Sequence, residues 1–81
     1  MFLHVTRAVY ISDHRVHLWF NDDTYGEVDL ASSLDGPIFE PLAKVNYFKK
    51  FHIIGQTVTW ENGADFAPEY LHELVQFSIA A

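Results

Sequence analysis

The sequence predicts an α+β fold in which a small antiparallel sheet, a three-stranded meander plus a hairpin, packs against one C-terminal helix. The first part of the chain alternates apolar and polar residues with a period of two, between short polar turns. The last part carries apolar residues at three- and four-residue spacing, which is typical of one helix face. With 81 residues, 49% of them hydrophobic, the chain has material for one core. Residues 1–81 are therefore expected to form a single domain.

Three strands are predicted within the first 30 residues, over residues 3–11, 15–20 and 25–30. In the second strand Val16, Leu18 and Phe20 alternate with outward-facing residues. The first strand also alternates, although Arg7 interrupts its apolar side. Because only short turns separate the strands, they should pair as an antiparallel meander.

Aromatic residues fall on the side of the meander that faces away from the predicted core. Trp19 and Tyr25 share the outward parity of neighbouring strands, so they should be near neighbours across the hairpin. Tyr10 and His17 are assigned to the same side. A single helix covers only one face of a sheet. These four side chains are therefore predicted to form an association surface, with the alternative that residues 38–42 fold back and cover them.

The middle of the chain is predicted to be short and irregular. A helical turn is expected over residues 31–37, followed by an apolar plug over residues 38–42. Asn46 is expected to cap a short helical turn. Gly55 and Gln56 then suit the two loop positions of a type II′ hairpin. The sequence leaves open whether a small ligand binds beneath residues 38–42.

A corner is predicted between the last strand and the long helix. Adjacent Asn and Gly residues tolerate positive φ, so the chain can reverse there. A proline suits the first turn of the helix, and two acidic residues complement its positive end. The corner comprises Trp60, Asn62, Gly63, Asp65, Pro68 and Glu69. Turn and cap chemistry explains each residue type, so the corner is assigned a structural role, and the helix should run from Pro68 to about Phe77.

Charge and composition exclude several classes of function. The net charge is −6, and the five Lys and Arg residues form no basic run, so direct binding to nucleic acid is not expected. There is no cysteine, which fits a reducing compartment and removes disulfides and thiolate metal sites. Neither a signal peptide nor a membrane-spanning stretch is recognised. A cytoplasmic location without membrane contact is expected.

Catalytic and metal chemistry find little support. His14 and His17 are too few for a closed zinc site, so no metal or other cofactor is predicted. Asp65, Glu69 and His72 offer acid–base groups on the helix face, but no nucleophile or oxyanion donor lies nearby in the sequence. The chain is expected not to be an enzyme, with a small hydrolase ranked last.

Most of the chain resembles the small bacterial domain-of-unknown-function family two-four-four-two. The segments that carry the resemblance are residues 36–42, Phe48 and the string Trp60-Glu61-Asn62-Gly63-Ala64-Asp65-Phe66-Ala67-Pro68-Glu69-Tyr70-Leu71. At Glu61 the chain departs from the family, which usually carries Pro there. The resemblance implies an α+β fold and no known catalytic residues. It also implies a gene neighbour that encodes another small protein, as in a two-protein, toxin–antitoxin-like pair.

Two functions from different classes follow. The first is a protein–protein interaction or regulatory module, acting as a homodimer or with a small partner protein. The alternative is a regulatory subunit of a DNA-binding assembly, without DNA contact of its own, in which a partner supplies the basic surface.

Overall fold

The computed structural model describes residues 2–80, and the side chains of residues 2–76. The strands are β1 Val5–Ser12, β2 Arg15–Phe20, β3 Tyr25–Asp29, β4 His52–Ile54 and β5 Thr57–Thr59. The helices are α1 Val45–Phe48 and α2 Pro68–Ala80, with two 3₁₀ segments, Ala31–Ser33 and Pro37–Ala43. The meander β1-β2-β3, the hairpin β4-β5 and the C-terminal helix confirm the predicted α+β fold.

The core lies between the inner face of the meander and the remaining elements. Val16, Leu18 and Val28 point inward from β2 and β3 and are buried together with Leu71 and Val75 of α2. This is the alternation expected of a sheet that is covered on one face. The other face of the meander, called the outer face below, carries the intervening residues.

Helix α2 rests directly on β3 because β3 has no side chain at the contact. Gly26 pairs with Leu18 and therefore lies on the inner side of the sheet. A Cβ atom at Gly26 would lie only 2.9 Å from Cγ1 of Val75. The glycine thus lets the backbone of β3 approach the helix closely.

The predicted side-chain parity of the first strand is wrong beyond Val5. Val5 pairs with Phe20, but Arg7 pairs with Trp19, so the register shifts between these two pairs. A bulge of this kind reverses the side to which the following residues point, here as far as Tyr10, after which the register shifts again. Tyr10 consequently pairs with Val16 and faces inward, not outward as predicted.

The middle of the chain differs from prediction in three ways. Residues 38–42 lie within a 3₁₀ helix, not in irregular chain. Asn46 lies inside α1, whose N-cap residue is Lys44, so the predicted cap is wrong. Gly55 and Gln56 have φ of 60° and 72°, and two positive values indicate a type I′ turn instead of type II′. Helix α2 also continues past the predicted end, to Ala80.

The corner at residues 60–69 links the hairpin to α2 through a dense set of hydrogen bonds. The Gly63 N–H donates to the Trp60 carbonyl at 3.0 Å, and the Trp60 N–H donates to the Ala64 carbonyl at 2.9 Å. Gly63 has φ of 90°, which a residue with a Cβ adopts at a cost. The Asn62 side chain donates to the Ile38 carbonyl at 2.7 Å, so the corner also holds the second 3₁₀ segment. Pro68 begins the helix, as predicted.

Candidate interaction surface

Three aromatic rings form a continuous row on the outer face of the meander; we call it the aromatic patch (His17, Trp19 and Tyr25). The ring centroids of His17 and Trp19 are 4.3 Å apart, and the His17 and Tyr25 rings stack at 6.0 Å. The register opposes Trp19 to Tyr25 across the β2–β3 pair. Tyr25 is 59% exposed. Three of the four predicted surface residues therefore lie together.

Arg7 is a fourth member of this surface that sequence reasoning missed. Its guanidinium carbon lies 4.8 Å from the centroid of the Trp19 ring, a geometry that favours a cation–π interaction. The bulge in β1 places Arg7 opposite Trp19. The one sign in the sequence is that Arg7 interrupts the apolar side of the predicted first strand. A single charged residue is compatible with a shifted register but does not locate the bulge.

Tyr10 does not belong to this surface. Its ring faces Phe48 of the core at a centroid distance of 6.3 Å. Its hydroxyl donates a hydrogen bond to the Asp13 carbonyl at 3.0 Å. Tyr10 thus supports the β1–β2 turn and the core, for the register reason given above.

The apolar plug does not cover the aromatic patch. Leu42 is fully buried in the core cluster, and the Phe39 ring stacks on Phe66 at 4.9 Å. The carbonyl of Leu42 lies 2.8 Å from Nε2 of His14, whose ring contacts Phe48. All of these contacts are on the inner side of the meander. The segment therefore seals the core and leaves the outer face open.

The two histidines considered as metal ligands point to different sides of the sheet. His14 bonds the Leu42 carbonyl on the inner side, whereas His17 stacks with Trp19 on the outer side. Across the residues that the structure describes, no group of three His, Cys, Asp or Glu side chains comes together. His14 acts as a link between the β1–β2 turn and the second 3₁₀ segment.

His72, the third candidate for acid–base chemistry, is engaged by the β2–β3 turn. Its Nε2 lies 2.8 Å from Oδ2 of Asp22 and 3.2 Å from the Thr24 hydroxyl. A relay from carboxylate through imidazole to a nucleophile uses both ring nitrogens, but here one nitrogen faces both groups. The arrangement therefore ties α2 to the turn and does not activate the hydroxyl.

Asp22 is held in its ionised form by this turn. The Thr24 backbone N–H donates to Oδ1 at 3.0 Å. That bond, opposed by desolvation and assisted by the Thr24 hydroxyl and His72, lowers the pKa of Asp22 from its ordinary value of 3.8. A carboxylate that accepts hydrogen bonds is favoured over its protonated form. Asp22 thus remains an anionic anchor for His72.

A small α+β fold with an uncovered, aromatic sheet face is the class of protein that these observations define. Residues 5–76 match the model of the DUF2442 family, described as a protein of unknown function. The chain belongs to this family, which confirms the resemblance noted in the sequence. No curated protein and no solved structure matches the chain. Within residues 2–80, none of the helices combines the length and apolar character that crossing a membrane requires.

Proposed function

We propose that this protein is a protein–protein interaction module that binds through the outer face of its meander. The observation that carries the proposal is the aromatic patch with Arg7 stacked on Trp19, left open by the plug. Tryptophan, tyrosine and arginine are the residues most enriched where binding energy concentrates in interfaces. The partner is a second small protein, as in a toxin–antitoxin-like pair, with the DUF2442 chain as the regulatory member.

The arrangement of the patch supports binding because its rings are already fixed. His17 stacks against both Trp19 and Tyr25 on a paired strand, so the rings have few rotamers to lose. A surface that is ordered before binding spends less of its contact energy on ordering itself. The strand backbone also fixes the spacing of the three rings.

A protein partner fits the charge of the chain better than nucleic acid does. The net charge is −6, and the outer face places Glu27 and Asp29 next to the patch. Arg7 and Arg15 lie on the same face and balance these two carboxylates, so the face has no excess of basic residues to attract phosphates. We further propose that the contact forms in the bacterial cytoplasm, because a chain without cysteine has no need of an oxidising compartment.

A second exposed apolar area lies on the hairpin, and it is the weaker candidate. Ile53 and Ile54 are 39% and 59% exposed. They are aliphatic, and single exposed aliphatic residues are normal on protein surfaces. This area therefore supplies a matched control for the test.

The test is a capture experiment from a lysate of the source cells, with the tagged parent and two variants. Trp19→Lys should remove the captured partner, because it deletes the ring that contacts both His17 and Arg7 and places a second cation beside Arg7. Loss of an aromatic anchor costs about 2–4 kcal/mol, or roughly a thirty-fold to thousand-fold loss in affinity. Ile54→Lys makes the same kind of change outside the surface and should keep the partner.

Circular dichroism and thermal unfolding of both variants check the fold, which should survive because Trp19 lies outside the core cluster. Capture of the same partner by a folded Trp19→Lys protein would contradict the proposal. Capture of a DNA-binding protein that depends on Trp19 would assign the module to a DNA-binding assembly, the alternative that the sequence leaves open.

A further inference from the structure

The outer edge of β3 carries backbone groups that no described segment pairs. β3 is the last strand in the order β1-β2-β3. The Phe20 N–H donates to the Thr24 carbonyl, and the Leu30 N–H donates to the His14 carbonyl, each at 2.9 Å. In an antiparallel pair, residues whose backbone N–H and carbonyl groups bond the neighbouring strand alternate with residues whose groups point away from it.

This alternation fixes which groups of β3 face outward from the sheet. Gly26 and Val28 lie at even spacing between Thr24 and Leu30, which both bond the neighbouring strand. The N–H and carbonyl groups of Gly26 and Val28 therefore also point toward β2. The N–H and carbonyl groups of Tyr25, Glu27 and Asp29 therefore point away from β2. Among residues 2–80, no backbone hydrogen bond joins these three residues to a neighbouring segment.

The opposite edge of the sheet, on β1, is less suited to receive a strand. Its register shifts twice, between Val5 and Arg7 and between Tyr10 and Ser12. The first residue of β1 is also hydrogen-bonded to another segment, because the Val5 N–H donates to the Gln56 carbonyl of the hairpin at 2.9 Å. Bulges and covering segments are common ways to protect a sheet edge. The register of β2 with β3, in contrast, has no shift over five residue pairs.

A groove lies beside the start of β3. It has a volume of about 460 Å³ and is lined by Asp23, Thr24, Tyr25, Gly26 and Gln76, so it borders the β2–β3 turn, the first two residues of β3 and helix α2. The inward-facing side chain of an added strand that lies opposite Gly26 would reach this groove, while the outward-facing side chains of that strand would continue the outer face.

Charge selects the kind of strand that fits this edge. Glu27 makes no hydrogen bond or ion pair with any described residue, and the Asp29 carboxylate reaches only the Ala31 N–H and, at 4.0 Å, Arg15. A second copy of this chain, paired antiparallel about its centre, would place Glu27 against Glu27. Like charges directly opposite each other destabilise a strand pair. Basic residues at alternate positions would instead meet both carboxylates.

We propose that the partner binds by adding an extended segment to the free edge of β3, with Lys or Arg at alternate outward positions and apolar residues between them. This inference rests on the proposed function and names the chemistry of its partner. Main-chain hydrogen bonds from Tyr25, Glu27 and Asp29 give the added strand its affinity, and the side-chain pattern gives its specificity. The outward side chain opposite Tyr25 joins the aromatic patch, so the edge and the patch form one surface.

The test uses a fluorescently labelled peptide with the core Lys-Val-Lys-Val-Tyr, which places its two lysines opposite Asp29 and Glu27 in the antiparallel register. Binding to the full chain is followed by fluorescence anisotropy. The control peptide, Glu-Val-Glu-Val-Tyr, has the same backbone and apolar residues but the opposite charge. We expect the basic peptide to bind at least about ten-fold more tightly, with a difference that shrinks as salt is raised.

Two proline variants separate the contribution of the β3 edge from general damage. Glu27→Pro removes an N–H that points away from β2 and the carboxylate that faces a lysine of the peptide, while the meander keeps its hydrogen bonds. We expect affinity for the basic peptide to fall at least about ten-fold. Glu61→Pro also exchanges an exposed glutamate for proline, at the second residue of the turn closed by Gly63, where proline is favoured. That variant should bind as the parent does.

Each remaining outcome decides the question. Equal binding of the two peptides, no binding by the parent, or unchanged binding by a folded Glu27→Pro protein would overturn the added-strand proposal. A dimer of the parent in sedimentation that Glu27→Pro dissolves would assign the edge to a second copy and would also overturn it. If capture of the partner depends on Trp19 but not on Glu27, the result supports the proposed function and contradicts the added-strand proposal.

Discussion

Replacing Trp60 with alanine should lower the free energy of unfolding by about 3–5 kcal/mol, as large-to-small changes of buried aromatic residues do. Trp60 is 2% exposed, and its ring contacts Phe48 and Phe66 at centroid distances of 5.6 and 5.8 Å. Its indole N–H donates to the Phe48 carbonyl at 2.7 Å. That carbonyl ends α1 and has no partner within the helix. The variant therefore leaves both a cavity and an unpaired buried acceptor.

This loss is large for a chain of this length. A domain of 81 residues is expected to be stable by roughly 4–12 kcal/mol in total. Urea unfolding of the parent and the variant measures the difference. Trp60→Phe is the matched control, because it keeps most of the ring volume and removes the indole donor, and it should cost about 1–3 kcal/mol. A loss below about 1 kcal/mol for Trp60→Ala would show that the corner does not anchor the core.

The second large effect is expected at Gly26, where alanine should destabilise the fold by about 1–3 kcal/mol. The new Cβ atom would lie 2.9 Å from Cγ1 of Val75, closer than two carbon atoms can approach. Since Val75 is fully buried, its side chain has no room to move away. Helix α2 would have to shift away from β3. An exposed glycine in a strand would give the opposite result, because alanine reduces the entropy of the unfolded chain.

A double-mutant cycle isolates this contact. Val75→Ala alone should destabilise the fold through a cavity, but in its presence the Gly26→Ala change should become neutral or favourable, since the opposing methyl group is gone. The coupling energy is then opposite in sign to the two single losses. Simple additivity of the two changes would contradict the close approach of β3 and α2.

Much of the fold could be predicted because its signals are local. The alternation in β2 and β3 and the apolar spacing in α2 each arise from packing against a single core, so the period reports the structure directly. The side-chain orientation in the first strand is harder to predict, because it is not set by a local signal. Arg7 and the residues after it follow a shifted register that depends on pairing with β2, and a bulge leaves no reliable local signature. The single extra residue of the bulge makes Tyr10 point to the side opposite to the predicted one.

The candidate surface was predicted in part for related reasons. Trp19 and Tyr25 could be placed together because a short turn connects regular strands. The stacking of Arg7 on Trp19 could not be predicted, since it needs the bulge. Whether residues 38–42 cover the aromatic patch was also beyond sequence reasoning. Their inward position depends on contacts distant in sequence, such as Phe39 with Phe66 and Asn62 with the Ile38 carbonyl.

The central claim is that the outer face and the free edge of β3 form one binding surface, and amide hydrogen exchange tests it most directly. In the free protein, the amides of Gly26 and Val28 should exchange slowly because they bond β2, while those of Tyr25, Glu27 and Asp29 should exchange fast. Addition of the captured partner should protect these three amides and shift the indole signal of Trp19. Fast exchange of the three amides in a complex that forms elsewhere, or slow exchange before any partner is added, would contradict the account.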